Sequence, residues 1–289
     1  MWGLLGQSHG RGNEGEGSLA ASLNPFVPAS LRRIERPCLQ RATPSLQLGG
    51  LVSWPHIRGF LPVRELTPVL IDLHTHTYPQ SDDSFMTVDD LIDTAKTHGL
   101  DGICLTDHDW FWPMDRVEEL SRRHGFLVLP GSEINTDTGH VLVFGLDQYV
   151  FGLHKPSFLR DKVSRIKGVM IAAHPHRRRF LEDPGHKPEA RAEMLERAYG
   201  DQFFQMCHAI EGLNGRATEV QNSFSHDLGI RLGANMCAGS DAHRLEQVGT
   251  AATQFEEKVS NLADLIEQLR LGKFKAVDLR NDGRLPPGG

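Results

Sequence analysis

The chain has 289 residues, with 31 Lys and Arg against 37 Asp and Glu, a formal net charge of −6 and 39% hydrophobic residues. That is enough for one large domain or two small ones. No run of 18 apolar residues could span a membrane, and the mild acidity argues against coating nucleic acid, while leaving a local basic patch open.

Four cysteines (Cys38, Cys104, Cys207 and Cys237) lie far apart with no CxxC. Neither a disulfide framework nor a zinc knuckle is expected, and a reducing cytoplasm is the simplest setting. The unusual count is histidine, at 15 residues. Imidazole is the commonest metal ligand and titrates near neutrality.

Residues 1–68 differ from the rest, with seven Arg, no Lys and seven of the 16 Pro. They have no apolar period, and residues 1 to about 66 are expected to be a mostly disordered leader. A basic region followed by an apolar stretch, as in a secretory signal, is not found. Arg without Lys suits an organelle transit peptide, but the Glu residues do not. A further hypothesis makes Val69 a misread initiator and residues 1–68 an extension outside the working protein. Residues 69–289 carry 13 of the histidines.

From residue 69, short apolar runs alternate with helical patterns. Residues 69–73 read as a buried strand. Residues 87–98 follow as a helix, with Val88, Leu91, Ile92 and Ala95 on one face, Thr87 and Asp90 as an acidic capping pair, and Gly99 at its end. Residues 101–109 make a strand, and 113–124 a helix stopped by Gly125. Two strands at 126–134 and 140–146, joined by a short turn, suggest a hairpin-like unit. Helix (156–167), strand (168–176), helix (188–199), strand (208–215), helix (216–228, ending at Gly229) and strand (235–243) come next. A late strand (249–256) and a helix (262–271) close the chain.

Alternating β and α with continuous apolar strands predicts an α/β fold, a parallel sheet covered by helices. About seven such units in roughly 220 residues favour a closed or nearly closed barrel, as one domain over 69–289. No dinucleotide fingerprint follows the first strand. Polar residues gather at the carboxyl ends of strands, which is the active-site face of an α/β barrel.

These ends are Asp72-Leu-His74-Thr-His76, Thr106-Asp107-His108-Asp109, Gly131-Ser-Glu133, Gly139-His140, Ala173-His174-Pro-His176, Glu211 to Asn214, and Gly239-Ser-Asp241-Ala-His243. Residues two apart on a strand point the same way, so both imidazoles of an HxH pair can meet one ion. A single histidine at a strand end is more often a hydrogen-bonded core residue than a ligand. Histidine at five of these ends, with Glu133 at a sixth, points to a divalent metal site. His98, His124, His154, His186, His208 and His226 fall in helices or loops and are assigned no role.

The motifs DLHTHT, LTDHD, GSEI, GHVLVFG, AHPHRR and AGSDAH, in this order, resemble the PHP (polymerase and histidinol phosphatase) family over residues 70 to about 280. The resemblance implies a distorted seven-stranded TIM-like β/α barrel with two or three divalent ions and phosphoester hydrolysis. Carried over by motif, one ion takes His74, His76, Glu133 and Asp241. Glu133 bridges to a second ion held by His140 and His174, and a third uses His108 and His243. Asp82 is the expected additional ligand, with Asp83 its rival, and Asp72 is expected to orient a ligand imidazole. His176 is either a ligand or a substrate contact.

The expected reaction is in-line attack on phosphorus by a hydroxide that the ions activate. It needs no protein nucleophile, in keeping with the lack of GxSxG. Asp107, Asp109 or His176 could protonate the leaving group. Arg177 and Arg178, directly after the AHP strand end, are candidates for clamping phosphate, against a plain solvated basic loop. Asn214 and, more weakly, Arg216 could line the pocket. Trp110, Phe111 and Trp112 could form a wall for a base or ring, or cap the barrel rim.

The leading expectation is a cytoplasmic hydrolase of a small phosphomonoester, such as histidinol phosphate or a nucleotide, using Mn, Zn or Fe. The alternative is a nuclease trimming a short oligonucleotide, and a third reading is a non-catalytic domain. Neither a membrane nor a stable protein partner is expected.

Overall fold

The computed structural model describes residues 68–177 and 187–280. The expected leader, Cys38, and the candidate Arg178 lie outside the described residues.

Ten strands and seven helices follow in chain order: β1 (Val69–Thr75), α1 (Val88–Thr97), β2 (Gly102–Leu105), α2 (Met114–His124), β3 (Leu127–Pro130), β4 (Ser132–Thr136), β5 (Gly139–Phe144), α3 (Pro156–Arg165), β6 (Val169–Ala172), α4 (Pro188–Tyr199), α5 (Gln202–Met206), β7 (Ala209–Asn214), α6 (Glu219–Leu232), β8 (Asn235–Gly239), β9 (Ala251–Phe255), α7 (Leu262–Leu271) and β10 (Phe274–Asp278). No helix among the described residues is long and apolar enough to cross a membrane.

The local chemistry explains the boundaries. Thr87 Oγ1 accepts the Asp90 amide at 3.2 Å and starts α1, whose Leu91, Ile92 and Ala95 are buried. Gly125 takes a left-handed φ of 57° and ends α2. Gly229 does not end its helix: α6 runs on to Leu232, capped by Gly233 at φ 61°. Gly229 is instead a packing residue, because a Cβ there would lie 2.4 Å from Met236 Sδ.

The strands form two five-stranded sheets, ordered β10-β9-β1-β2-β3 and β4-β5-β6-β7-β8, rather than one closed parallel barrel. β1, β2 and β3 are parallel, as are β6, β7 and β8. β9 runs antiparallel to both β1 and β10, and β5 antiparallel to both β4 and β6. The expected third strand is in fact two, β3 and β4, divided at Gly131 between the sheets. A Cβ at Gly131 would strike the Phe144 ring at 2.7 Å.

The sheets meet at the ends that carry the histidines. Asp241 N donates to His74 O at 2.8 Å, and His76 N to Ala242 O at 3.0 Å. On the other side, Glu133 N donates to Thr106 O at 3.1 Å and Asp109 N to Glu133 O at 2.9 Å. Register shifts fall between Asp72 and Thr75 in β1 and between Glu211 and Leu213 in β7. Such irregularities re-aim side chains next to active sites.

Strand alternation sorts the core into layers. Ile71, Leu73, Leu142 and Phe144 join α7 in one cluster; Ile103 and Leu105 join α1 and α2 in another; Val141, Val143 and Ile210 pack with α3 to α6.

Candidate metal centre

At the junction of the sheets, Glu133 is buried and faces five imidazoles. Its Oε2 lies 3.2 Å from His74 Nε2, 3.2 Å from His76 Nε2 and 3.1 Å from His108 Nδ1. Its Oε1 lies 2.6 Å from His140 Nδ1 and 2.9 Å from His174 Nε2. Asp241 Oδ1 stands 3.6 Å from His74 Nε2 and 3.4 Å from His76 Nε2.

The outer contacts fix which ring nitrogens face inward. His74 Nδ1 is 2.8 Å from Glu211 Oε1, so it carries the proton and leaves a lone pair on Nε2. Ser81 Oγ donates to Asp107 Oδ1 at 2.8 Å and so accepts from His76 Nδ1 at 3.1 Å, which likewise frees His76 Nε2. His74 Nε2, His76 Nε2, His108 Nδ1, His174 Nδ1 and Glu133 Oε2 are buried with no hydrogen-bond partner. Buried ligand atoms in that condition are costly without an ion. Four groups bring their ligand atoms within 4.8 Å of one another: His76, His108 and His243; His74, His76 and Glu133; His74, His174 and Asp241; and His108, Glu133 and His140. The donor set fits divalent metal.

Burial opposes charge on His74 and His76, but the surrounding carboxylates raise both above the ordinary imidazole range, His76 to about 9, so an incoming ion would displace a proton from each Nε2. Burial opposes the charge on Glu133, but His74 and the close imidazoles of His108, His140 and His174 hold its carboxyl well below the usual range. Burial likewise opposes charge on Asp241, which His74, His76 and Arg177 keep well below it. His243 is pushed down to about 4 by burial and by His76. His174 and Asp241 also hold left-handed φ values of 26° and 55°. Strain of this kind at non-glycine residues clusters at functional sites.

The nine expected ligands divide clearly. His74, His76, His108, Glu133, His140, His174, Asp241 and His243 converge. Asp82 does not: it is exposed and makes no contact with the cluster among those described. The rival Asp83 faces the cluster instead, its Oδ2 3.2 Å from His243 Nε2 and 3.6 Å from His108 Nε2. Both residues sit in one short turn, and only backbone geometry separates them. Asp72 orients backbone rather than a ring, since its Oδ1 accepts the amides of His74 at 3.2 Å and Ser240 at 2.9 Å. The ring-orienting carboxylate is Glu211, whose signal in the sequence is a charge inside an otherwise apolar strand, β7.

Three other expected roles change. Asp107 is saturated by donors: Thr77 N at 2.5 Å, Thr77 Oγ1 at 2.9 Å, Ser81 Oγ at 2.8 Å and Trp112 Nε1 at 2.7 Å. It anchors two loops. Asp109 is held by Asn135, from N at 3.2 Å and from Nδ2 at 2.9 Å. His176 packs edge-on against Phe224, ring centroids 5.3 Å apart, and belongs to none of the four groups.

Arg177 does border the centre. It ion-pairs with Asp241 and donates to Asn214 Oδ1 at 3.0 Å. Asn214 Nδ2 donates to Glu211 Oε2 at 3.0 Å, and its Oδ1 also accepts the amides of Arg216 and Ala217 at 3.1 Å. Asn214 therefore positions Arg177, Glu211 and the turn that follows β7. Arg216 proves more central than its sequence signal, reaching His243 Nδ1 at 2.8 Å and Asp241 Oδ1 at 3.6 Å.

A family profile described as PHP-associated matches residues 221–274. A protein of Shewanella sediminis named "Probable phosphatase" is 27% identical over 197 residues, covering 60% of this chain and 78% of that protein. A Methanocaldococcus jannaschii protein is 26% identical over 117 residues, 36% of this chain and 67% of its own length. Among solved structures, PsfC from Pseudomonas syringae aligns with a TM-score of 0.49 and 19% identity, over 74% of this chain and 92% of its own.

Proposed function

We propose that the chain is a metal-dependent phosphoesterase of the PHP family acting on a small phosphomonoester. One observation carries the reading: the inward-facing imidazoles of His74, His76, His108, His140 and His174 share one buried carboxylate, Glu133, and several of the facing atoms have no hydrogen-bond partner. The profile match and the likeness to the Shewanella phosphatase support it. We also read the two sheets, stitched at both junctions, as one distorted, interrupted barrel.

His74, His76, Glu133 and Asp241 would hold one ion, Glu133, His140 and His174 a second, and His108, His243 and Asp83 a third. Bound there, Mn, Zn or Fe would supply Lewis acidity toward the phosphoryl group. The chain's own residues do the rest. Arg177 and Arg216 flank Asp241 at the edge of the centre, and their guanidinium groups suit non-bridging phosphate oxygens. Asn214 holds Arg177 in place, and Glu211 fixes the His74 tautomer. Burial of the cluster excludes bulk water around the ligands.

The test is phosphate release from p-nitrophenyl phosphate, histidinol phosphate and mononucleotides by protein loaded in turn with Mn, Zn or Fe. His74→Ala is expected to abolish release with an unchanged circular dichroism spectrum. No release from any substrate under any loading overturns the reading.

A further inference from the structure

The Ser81 hydroxyl is buried and has three polar neighbours. It lies 2.8 Å from Asp107 Oδ1 and 3.1 Å from His76 Nδ1, and it accepts the His108 amide at 3.1 Å. A hydroxyl has one hydrogen and two lone pairs. The His108 amide can only donate, so the single hydrogen of Ser81 goes either to Asp107 or to His76 Nδ1. The choice fixes the imidazole. If Nδ1 accepts from Ser81, the ring's own hydrogen sits on Nε2, the atom that faces Glu133 and Asp241.

Asp107 decides between the two. Its carboxylate is fully buried and also accepts Thr77 N at 2.5 Å, Thr77 Oγ1 at 2.9 Å and Trp112 Nε1 at 2.7 Å. The Thr77 amide and the indole can only donate, and they fall on different oxygens, so the pocket is built for an acceptor at both. Were the Ser81 hydrogen turned to His76, lone pairs of Ser81 and Asp107 would oppose each other at 2.8 Å in a place shielded from water. Donation to the ionised carboxylate is the stronger bond. The same hydroxyl pins the end of β2 through the His108 amide. His140 and His174 belong to β5 and to the end of β6, where their nitrogens face Glu133 Oε1 instead.

We propose that Asp107 is a positioning residue of the metal centre: acting through Ser81, it keeps a hydrogen on His76 Nδ1 and Nε2 turned to the ion, and by the same hydroxyl it seats His108. The proposal rests on the metal reading of the centre. Two ligands from neighbouring parallel strands, His76 after β1 and His108 after β2, thus depend on one buried carboxylate that is itself no ligand. The His140 and His174 side of Glu133 is held independently of it.

The test is titration of the metal-depleted full chain with Zn against a competing chelator, with the histidine ring nitrogens and their hydrogens followed by NMR. Zn-loaded wild type is expected to show the His76 hydrogen on Nδ1. Ser81→Ala is expected to weaken Zn binding about 10-fold or more. It is also expected to move the His76 and His108 signals while those of His140 and His174 stay in place. Ser81→Thr, which keeps the hydroxyl, is expected to recover most of the loss. Asp107→Asn gives a second reading should Ser81→Ala fail to fold. It keeps the shape, but either placement of its amide sets an N–H against Thr77 N or Trp112 Nε1, and the same two rings are expected to move. The proposal is overturned if the folded variants bind Zn like the wild type, or if the wild-type His76 carries no hydrogen on Nδ1. It is equally overturned if the His140 and His174 signals move as far as that of His76, the mark of a general loss of structure. A wild type that binds no Zn would remove the metal reading, and its His76 signals would still show which way the Ser81 bond runs.

Discussion

Glu211 Oε1 holds His74 Nδ1 at 2.8 Å, while the same carboxylate's Oε2 accepts the His174 amide at 2.7 Å and Asn214 Nδ2 at 3.0 Å. One side chain of β7 thus sets a ring on β1 and the strand end that carries another. Glu211→Gln keeps the shape and weakens the charge that fixes the His74 tautomer. Metal affinity is expected to fall about 10–100-fold, measured by metal analysis after dialysis against graded chelator. Unchanged occupancy would mean that Glu211 does not orient the ring.

Metal removal should loosen the whole sheet junction, because ligands from both sheets meet at Glu133. An ion held at 100 times its dissociation constant adds about 2.7 kcal/mol to folding stability. Thermal denaturation with and without chelator is expected to show a clear drop in Tm, recovered on adding the ion back. Occupancy is also expected to fall as pH drops, because protons compete with the ion for the ligand imidazoles. A Tm indifferent to chelator would count against any structural coupling between ions and fold.

Gly239 tests the packing behind the ligands. A Cβ there would lie 2.4 Å from His74 Cβ, 2.9 Å from His74 N and 3.0 Å from Glu211 Oε1. Two of these neighbours are fixed by backbone, so Gly239→Ala must displace β1 or β8. Destabilisation of about 1–3 kcal/mol is expected, together with weaker metal binding. Chemical denaturation measures the first and metal titration the second. A neutral substitution would show that the junction is softer than its contacts imply.

The cysteines give a check on burial. Cys104 and Cys237 are fully buried, and burial pushes both thiols well above their usual range, with Asp72 adding to the effect at Cys104 and Glu211 at Cys237. The thiolate is the reactive form. Native protein treated with iodoacetamide is expected to be modified at neither, while Cys207, only half-buried, reacts first of the three. Mass spectrometry of peptides reads the result, and rapid labelling of Cys104 would contradict the packing of β2.

Much of the centre could be read from the sequence because its ligands obey strand periodicity and each follows an apolar run. Asp82 and Asp83 could not be told apart, since a turn has no period to choose between neighbours. The roles of Asp107 and Asn214 were hidden for a related reason. Whether a buried polar group meets substrate or is consumed by neighbours depends on donors such as Trp112, Thr77 and Ala217, and those come from other loops. The two-sheet arrangement was missed because β9 and β10 are antiparallel, and an apolar run carries no mark of the direction of its partner.

The Asp107 anchor has a consequence for how the molecule can change. Its oxygens take donors from the loop that seats His76 and from Trp112 in the loop before α2. Residues 110–113 cannot therefore be exchanged freely without disturbing the loop that seats His76. Any replacement that lacks a donor for Asp107 Oδ2 would leave a buried carboxylate oxygen underpaired and disturb the support of His76 through Ser81. The 110–113 loop and the seating of His76 are thus tied through one carboxylate, whereas Tyr78 and Trp110 make no hydrogen bond to Asp107 through their side chains.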